Sequence, residues 1–360
     1  MRLLAALIGL AFCSSTVALL ANGCSSLSTC QQCTGGACGN ACTWCASTNA
    51  CVQYLFNLCP LTSQVASAYN CPWSVSSSLE YNATLASNDA MNFLCAGNEE
   101  SADAVQIALS KEYSEVEVLG LYTVPCMNSS VWSLFGAATS SSHCGAYVVI
   151  VNSTSTIAVV FTDNTSTFEL VTKLSNIFAV PAFVNVTGVT GTVYDLFANP
   201  LVSLLKAGLA TDIQTAMTDY PDYNLLVVGY SIGGSLASIA SALIVTTMKP
   251  DSFSGSVSVY TLGQPRTGTA AYAEFHDSVA PATFRIISGL DPVPMLPTTL
   301  FVTNPPFHHR FEVWYNSTTS DSEYTMFHMA EDPSGRASAL FGNITDHAYY
   351  FGRNVDTCRL

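Results

Sequence analysis

The sequence predicts an α/β architecture, a mostly parallel sheet with helices on both faces, preceded by a small disulfide-rich module. Three observations carry this. Apolar strand-like runs alternate with helical stretches over the last two thirds of the chain, which is the order that builds a parallel sheet. The run Leu225-Leu226-Val227-Val228 leads straight into Gly229-Tyr230-Ser231-Ile232-Gly233, a G-x-S-x-G pattern, and then into a helix-like stretch from Ser235 to Met248. Nine of the fourteen cysteines crowd into residues 24–71.

The chain has 360 residues, enough for a large core and a small module. With 49% apolar and 10% charged residues it is not a disordered chain. Its formal charge of −14 argues against a nucleic-acid partner, and no local basic patch would draw it to anionic membranes.

Residues 1–22 read as a secretory signal peptide: Met1-Arg2, an apolar run from Leu3 to Phe12, a polar break, and small residues near Ala21. No later stretch reads as a transmembrane span. Seven Asn-x-Ser/Thr sequons, at Asn82, Asn128, Asn152, Asn164, Asn185, Asn316 and Asn343, fit a secreted glycoprotein, extracellular or in the lumen of a secretory or lysosome-like compartment.

Residues 23–75 form the expected cysteine-rich module. The segment carries little aliphatic material, so disulfides must hold it. Cys30-x2-Cys33 and Cys42-x2-Cys45 also have the spacing of a zinc site, but a secreted context with many further cysteines favours disulfides. Thirteen cysteines follow the signal peptide, an odd number, which leaves one free or paired between chains. Cys95 and Cys358 lie near the two ends of the second domain, residues 76–360, and a bridge between them would tie its termini together.

In that domain residues 88–113 read as helical. Tyr147–Val151 and Ile157–Phe161 read as a hairpin turning at Asn152-Ser153-Thr154. Helical stretches come next at Thr167–Ile177 and Val193–Thr218. Strands are expected at Leu225–Val228, Ser256–Leu262, Thr283–Ser288 and Phe311–Tyr315. The loops after such strands are where parallel sheets carry their sites.

A serine between strand and helix in this pattern is a nucleophile held on a tight turn, and the amide of Ile232 faces where an oxyanion would form. The serine needs a base, and the base an orienting acid, in the order Ser, Asp or Glu, His. Asp291, in Gly289-Leu290-Asp291-Pro292 after a strand, stands where the acid belongs, although a turn residue before proline has the same look. His308, His309, His328 and His347 come after it; His308 and His309 precede a strand and read as structural. Spacing alone does not choose His347.

The module between Cys24 and Cys51, with Cys42-Thr43-Trp44-Cys45 at its centre, resembles the plexin–semaphorin–integrin type of cysteine-rich module, which implies a brace for the neighbouring domain or a seat for a protein partner. Residues 145–358 resemble the class 3 (fungal-type) lipases of the α/β-hydrolase fold. The matching segments are the elbow Gly229–Gly234, Tyr260-Thr261-Leu262-Gly263-Gln264-Pro265-Arg266, Asp291-Pro292-Val293-Pro294, His308–Tyr315, and Asp346-His347 with Tyr350-Phe351. The resemblance implies Ser231 as nucleophile, Asp291 as orienting acid, and His347 as general base.

It further implies a triacylglycerol lipase-type carboxylic ester hydrolase without cofactor or metal, acting on lipid esters, most readily acylglycerols, at a lipid–water interface. A short-chain or phenolic-ester esterase, and a non-catalytic binding protein on the same scaffold, are the alternatives. Three positions depart from the family. Phe161-Thr162-Asp163-Asn164 replaces Phe-Arg-Gly followed by Ser or Thr, which puts Asn164 at the second oxyanion donor. Tyr194-Asp195-Leu196-Phe197 replaces His-x-Gly-Phe, and Tyr230 stands where His is usual. Phe168, Leu170, Val171 and Leu174 match the position of the family's lid, an amphipathic helix over the nucleophile; a core helix would have the same pattern.

Overall fold

A computed structural model describes residues 24–35, 42–53, 57–60, 63–65, 67–72, 79–126, 142–163, 182–299, 305–319, 322–339 and 341–360. The signal-peptide segment, Cys38, Asn164 and the lid positions Phe168, Leu170, Val171 and Leu174 lie outside the described residues. The chain divides into two units, one comprising the residues before Ser76 together with His328–Ser338, the other Ser76–Phe327 with Ala339–Leu360.

The first unit has a short helix, α1 (Cys30–Gly35), and three strands, β1 (Cys42–Cys45), β2 (Ala50–Gln53) and β3 (Gln64–Val65), in the order β2-β1-β3. Its apolar core is Trp44, Val65 and Met329 among cystines. Bridges join Cys24 to Cys42, Cys30 to Cys71, Cys33 to Cys51 and Cys45 to Cys59. All four thiols of the zinc-like spacing are thereby spent on disulfides, with four different partners. Residues 328–338, expected with the second domain, cluster here instead. Met329 enters the apolar core, and the Glu331 amide donates to Asn70 Oδ1 at 3.1 Å.

The second unit opens with α2 (Met91–Ala96) and α3 (Ala102–Leu109), which Ser101 caps by accepting from the Ala104 amide. Then come β4 (Val116–Pro125), β5 (His143–Val151), β6 (Thr156–Asp163), β7 (Phe183–Val184) and β8 (Val193–Tyr194). Next are α4 (Asp195–Leu204), α5 (Ala210–Asp219), β9 (Asn224–Tyr230), α6 (Ile232–Leu243), β10 (Val257–Leu262), β11 (Gly268–Thr269) and α7 (Ala270–Val279). The chain ends with β12 (Thr283–Ser288), β13 (Pro306–Phe307), β14 (Glu312–Tyr315), β15 (Tyr324–Phe327), α8 (Ile344–Ala348), β16 (Tyr349–Tyr350) and β17 (Arg353–Asn354).

Eight strands make the central sheet in the order β15-β14-β12-β10-β9-β6-β5-β4. The inner pairs β6/β9, β9/β10, β10/β12 and β12/β14 are parallel, and β4, β5 and β15 add antiparallel margins. Strand β9 is continuous apolar sequence because it lies mid-sheet with both faces covered; its residues from Leu225 to Tyr230 are all buried. Every residue of α6 is buried too, and it is built from Ala, Ser, Gly, Leu and Ile. It begins at Ile232, not at Ser235, because the elbow turn takes a single residue and the two glycines join the helix.

Cys95 is bridged to Cys358, and Cys126 to Cys144. No helix among the described residues is long and apolar enough to cross a membrane.

Candidate active site

Ser231 sits between β9 and α6 with φ 55° and ψ −121°, a conformation side chains rarely adopt. The turn is fixed on both sides: the Ser231 amide donates to Leu262 O at 2.9 Å, and the Gly234 amide to Ser231 O at 3.1 Å. Glycine is required around it by close approach. A Cβ on Gly229 would fall 2.1 Å from Gly233 O, and one on Gly233 would fall 2.4 Å from Phe161 O. The sharp turn therefore presents Ser231 Oγ at the carboxyl end of β9, with the Ile232 amide at the first position of a twelve-residue helix, the positive end of its dipole.

Asp291 lies after β12 in the loop beyond Gly289, and the Val293 amide donates to its Oδ1 at 2.8 Å. His347 lies on the short helix α8, which Asn343 caps by accepting from the Thr345 amide at 3.1 Å. The Asp346 carboxylate accepts from the Leu290 amide at 2.7 Å, tying that helix to the Asp291 loop. The fold brings the three distant side chains into one line. Ser231 Oγ donates to His347 Nε2 at 3.0 Å, and His347 Nδ1 donates to Asp291 Oδ2 at 2.8 Å. All three are fully buried. This is the bond geometry in which an imidazole can take the serine proton while the carboxylate holds its tautomer and plane.

Three further residues complete the line, and the sequence alone shows no role for them. Tyr350 donates to Asp291 Oδ2 at 2.6 Å. Burial, and then the Asp291 charge beside it, hold the Tyr350 phenol well above the usual tyrosine range, so it remains a donor. Tyr230 donates to His347 O at 2.9 Å and stacks on the His347 ring with centroids 4.9 Å apart. Gly263, at φ +62°, passes beneath the Asp291–His347 bond. The one signal for Tyr350 is its place three residues after His347, inside a segment that carries the family resemblance.

His308 and His309 are placed as structural residues. His308 Nε2 donates to Pro294 O at 2.7 Å, and His309 pairs with the Gln264 amide at 3.1 Å. Burial first, and then neighbouring positive charge, hold both rings well below the usual histidine range. Among the described residues His276, Asp277 and His309 form one cluster of metal-ligating types. The two imidazoles stack, with centroids 4.4 Å apart and planes at 19°, so their in-plane lone pairs do not converge on one ion. Asp277 already accepts the Arg310 amide at 3.1 Å. A polar cavity of about 750 Å³ also opens in the second unit, lined by residues including Asn98, Glu99, His143, Asp163 and Arg359; no triad residue lines it.

Residues 148–301 match the family model described as Lipase (class 3). The match takes in Ser231 and Asp291 and stops short of His347, which the fold supplies from beyond it. Over 122 residues the chain is 32% identical to a secreted mono- and diacylglycerol lipase of Fusarium solani, covering 34% of each chain. It is 27% identical over 146 residues to a lipase of Rhizopus oryzae, covering 41% of this chain and 36% of that one. The chain thus spans about a third of the length of these curated relatives. The fold extends further. The crystal structure of a lipase from Rhizopus microsporus var. chinensis superposes with a TM-score of 0.60 at 21% identity, covering 80% of this chain and 94% of that one. Solved neighbours of this kind establish the α/β-hydrolase fold for the second unit.

Proposed function

We propose that this class 3 lipase-like protein is a secreted serine hydrolase that cleaves carboxylic esters of lipids, acylglycerols first among them. The observation that carries this reading is the buried line Ser231–His347–Asp291 at a strained strand-to-helix turn. In the reaction Ser231 Oγ attacks the ester carbonyl carbon as His347 Nε2 takes its proton. The tetrahedral oxyanion forms against the Ile232 amide, with Asn164 as the second donor. The intermediate collapses, the alcohol leaves with the proton from His347, and the acyl group stays on Ser231. Water, deprotonated by His347, then releases the acid. Asp291, held by the Tyr350 hydroxyl and the Val293 amide, keeps the imidazole in the required tautomer.

The named activity of the Fusarium relative supports mono- and diacylglycerols as substrates. The segment around Phe168, Leu170, Val171 and Leu174 serves in this reading as the cover that opens at a lipid surface, and the disulfide-held module as a brace or partner seat. The test is a p-nitrophenyl ester chain-length series on wild type and Ser231→Ala, with and without an emulsified acylglycerol. Loss of at least ~1000-fold in the variant supports the reading, and equal rates refute it. Preference for acetate with no gain at an oil surface moves the substrate to short-chain esters.

A further inference from the structure

We infer that Tyr230 is a positioning residue for the base of this hydrolase: its ring sets the plane of the His347 imidazole, and its hydroxyl fixes the His347 backbone. The inference rests on the hydrolase reading above and deepens it.

Tyr230 is the last residue of β9, directly before Ser231, so one rigid strand end delivers both the nucleophile and the support of its base. Its hydroxyl donates to His347 O at 2.9 Å, and its ring lies on the imidazole at 4.9 Å with the planes 26° apart. Tyr230 is in turn held edge-on by Tyr350, at 6.2 Å and 75°. These contacts do what the triad bonds leave undone. The bonds from Ser231 and to Asp291 both lie near the imidazole plane, and neither opposes a tilt of the ring out of that plane. A flat neighbour on the face does. The backbone anchor matters because α8 has five residues, too few to hold its own geometry without tertiary contacts.

When Ser231 attacks, His347 becomes an imidazolium above an aromatic face, and a desolvated cation is attracted to such a face. That attraction exists with the charge and not before it, so it acts on kcat and leaves KM alone. The family resemblance puts histidine at this position. An imidazole there lacks the phenol's reach to the His347 carbonyl, and it would share positive charge with its neighbour where tyrosine does not.

The test uses the full-length protein, a soluble p-nitrophenyl ester, and the variants Tyr230→Phe and Tyr230→Leu beside wild type and Ser231→Ala, with thermal melts of each. Tyr230→Phe keeps the ring and loses the anchor; the expected loss is ~5-fold in kcat, the size of one ordinary hydrogen bond. Tyr230→Leu loses both, and the expected loss is ~50-fold, the ring adding about tenfold. KM stays within about twofold in both, a split that general loosening of the fold would not produce. Unchanged kcat in both variants, or a change confined to KM, overturns the inference. If Tyr230→Leu does not fold, Tyr230→Phe decides alone, and unchanged kcat overturns it. Equal rates for wild type and Ser231→Ala bring down the hydrolase reading and this inference together. An active wild type with unmoved Tyr230 variants brings down only the inference.

Discussion

Gly263→Ala places a methyl group under the catalytic line, where it pushes on both partners of one hydrogen bond. A Cβ at this position would lie 2.7 Å from His347 Cε1, 2.8 Å from His347 Nδ1 and 2.8 Å from Asp291 Oδ2. Ordinary contact begins near ~3.5 Å, so both partners must retreat by about 0.7 Å. They are the two ends of the 2.8 Å His347–Asp291 hydrogen bond, and the methyl enters from one side of it. Separation of that order takes the bond to the edge of the hydrogen-bonding range, and a displacement approaching 1 Å costs a catalytic group about 10²-fold. The expected loss in kcat is therefore ~100-fold, about 2.7 kcal/mol of barrier. The left-handed backbone at φ +62° adds a separate cost of ~1–2 kcal/mol in stability, a few degrees in the melt. Steady-state kinetics on a p-nitrophenyl ester, with a thermal melt of the same preparation, separates the two effects. A folded Gly263→Ala protein with kcat within threefold of wild type would refute the reasoning.

Three further outcomes are expected. Tyr350→Phe removes a donor from the buried Asp291 carboxylate and should lower kcat tenfold or more with KM unchanged, since hydrogen bonds to charged groups contribute about 1.5–3 kcal/mol; steady-state kinetics reads it, and unchanged kcat would count against a role for Tyr350. Burial pulls His276 from its ordinary 6.5 down to about 3. Its neutral form is the folded one, so stability is full above about pH 6.5 and declines as pH falls from there toward 3, by ~2 kcal/mol at pH 5. Urea titrations of wild type and His276→Asn at pH 7.5 and 5.0 check this: the wild type should lose more than the variant, and equal losses would sink it. The Cys95–Cys358 bridge spans 263 residues; removing it with Cys95→Ala and Cys358→Ala should cost ~5 kcal/mol in the chain-entropy account and lower the melt by roughly 10 °C, with kcat unaffected.

The parts of this fold legible in the sequence are those in which one local rule dominates. The run Leu225–Val228 reads as a buried strand because both its faces are covered, and the glycines at 229 and 233 read as a tight elbow because two backbones meet there. Strand β4 is not legible in this way. It is half-exposed along its length and slips register between Val118 and Gly120, so Val-Glu-Val-Leu-Gly-Leu shows no clean alternation. Strand β15 is a short, partly exposed margin and carries little pattern of its own. The clustering of residues 328–338 with the cysteine-rich unit is a contact across more than two hundred residues, for which no local periodicity exists. For the site, Ser231 is legible from its turn, whereas His347 is selected by resemblance: His308 and His309 stand apart because they precede a strand, but spacing alone does not choose His347. Tyr230 and Tyr350 stand in view without a role, since a phenol's partner depends on which strands the topology sets side by side.

The segments that carry the resemblance look chemical in sequence and turn out, mostly, to hold the loop that holds Asp291. Thr261 Oγ1 donates to Gln264 Oε1 at 2.7 Å, and Gln264 Nε2 donates to Thr267 Oγ1 at 2.9 Å. Arg266 Nη1 donates to the carbonyls of Met295 and Pro297 at 2.6 and 2.9 Å, on the turn just after Asp291-Pro292. His308 reaches the Pro294 carbonyl in the same turn. Arg285 Nε donates to His309 O at 2.9 Å, and its guanidinium faces Glu312 at 3.6 Å with both side chains buried. Buried groups of this kind are strongly destabilising when one partner is removed, because the other is left without its match. Strands β10, β12 and β14 are thereby locked to one another and to the acid loop, while β9 presents the serine from the adjacent register. The Ser231–His347–Asp291 line is thus short in reach but wide in support: three side chains form it, and a network running through three neighbouring strands decides whether Asp291 stands 2.8 Å from His347.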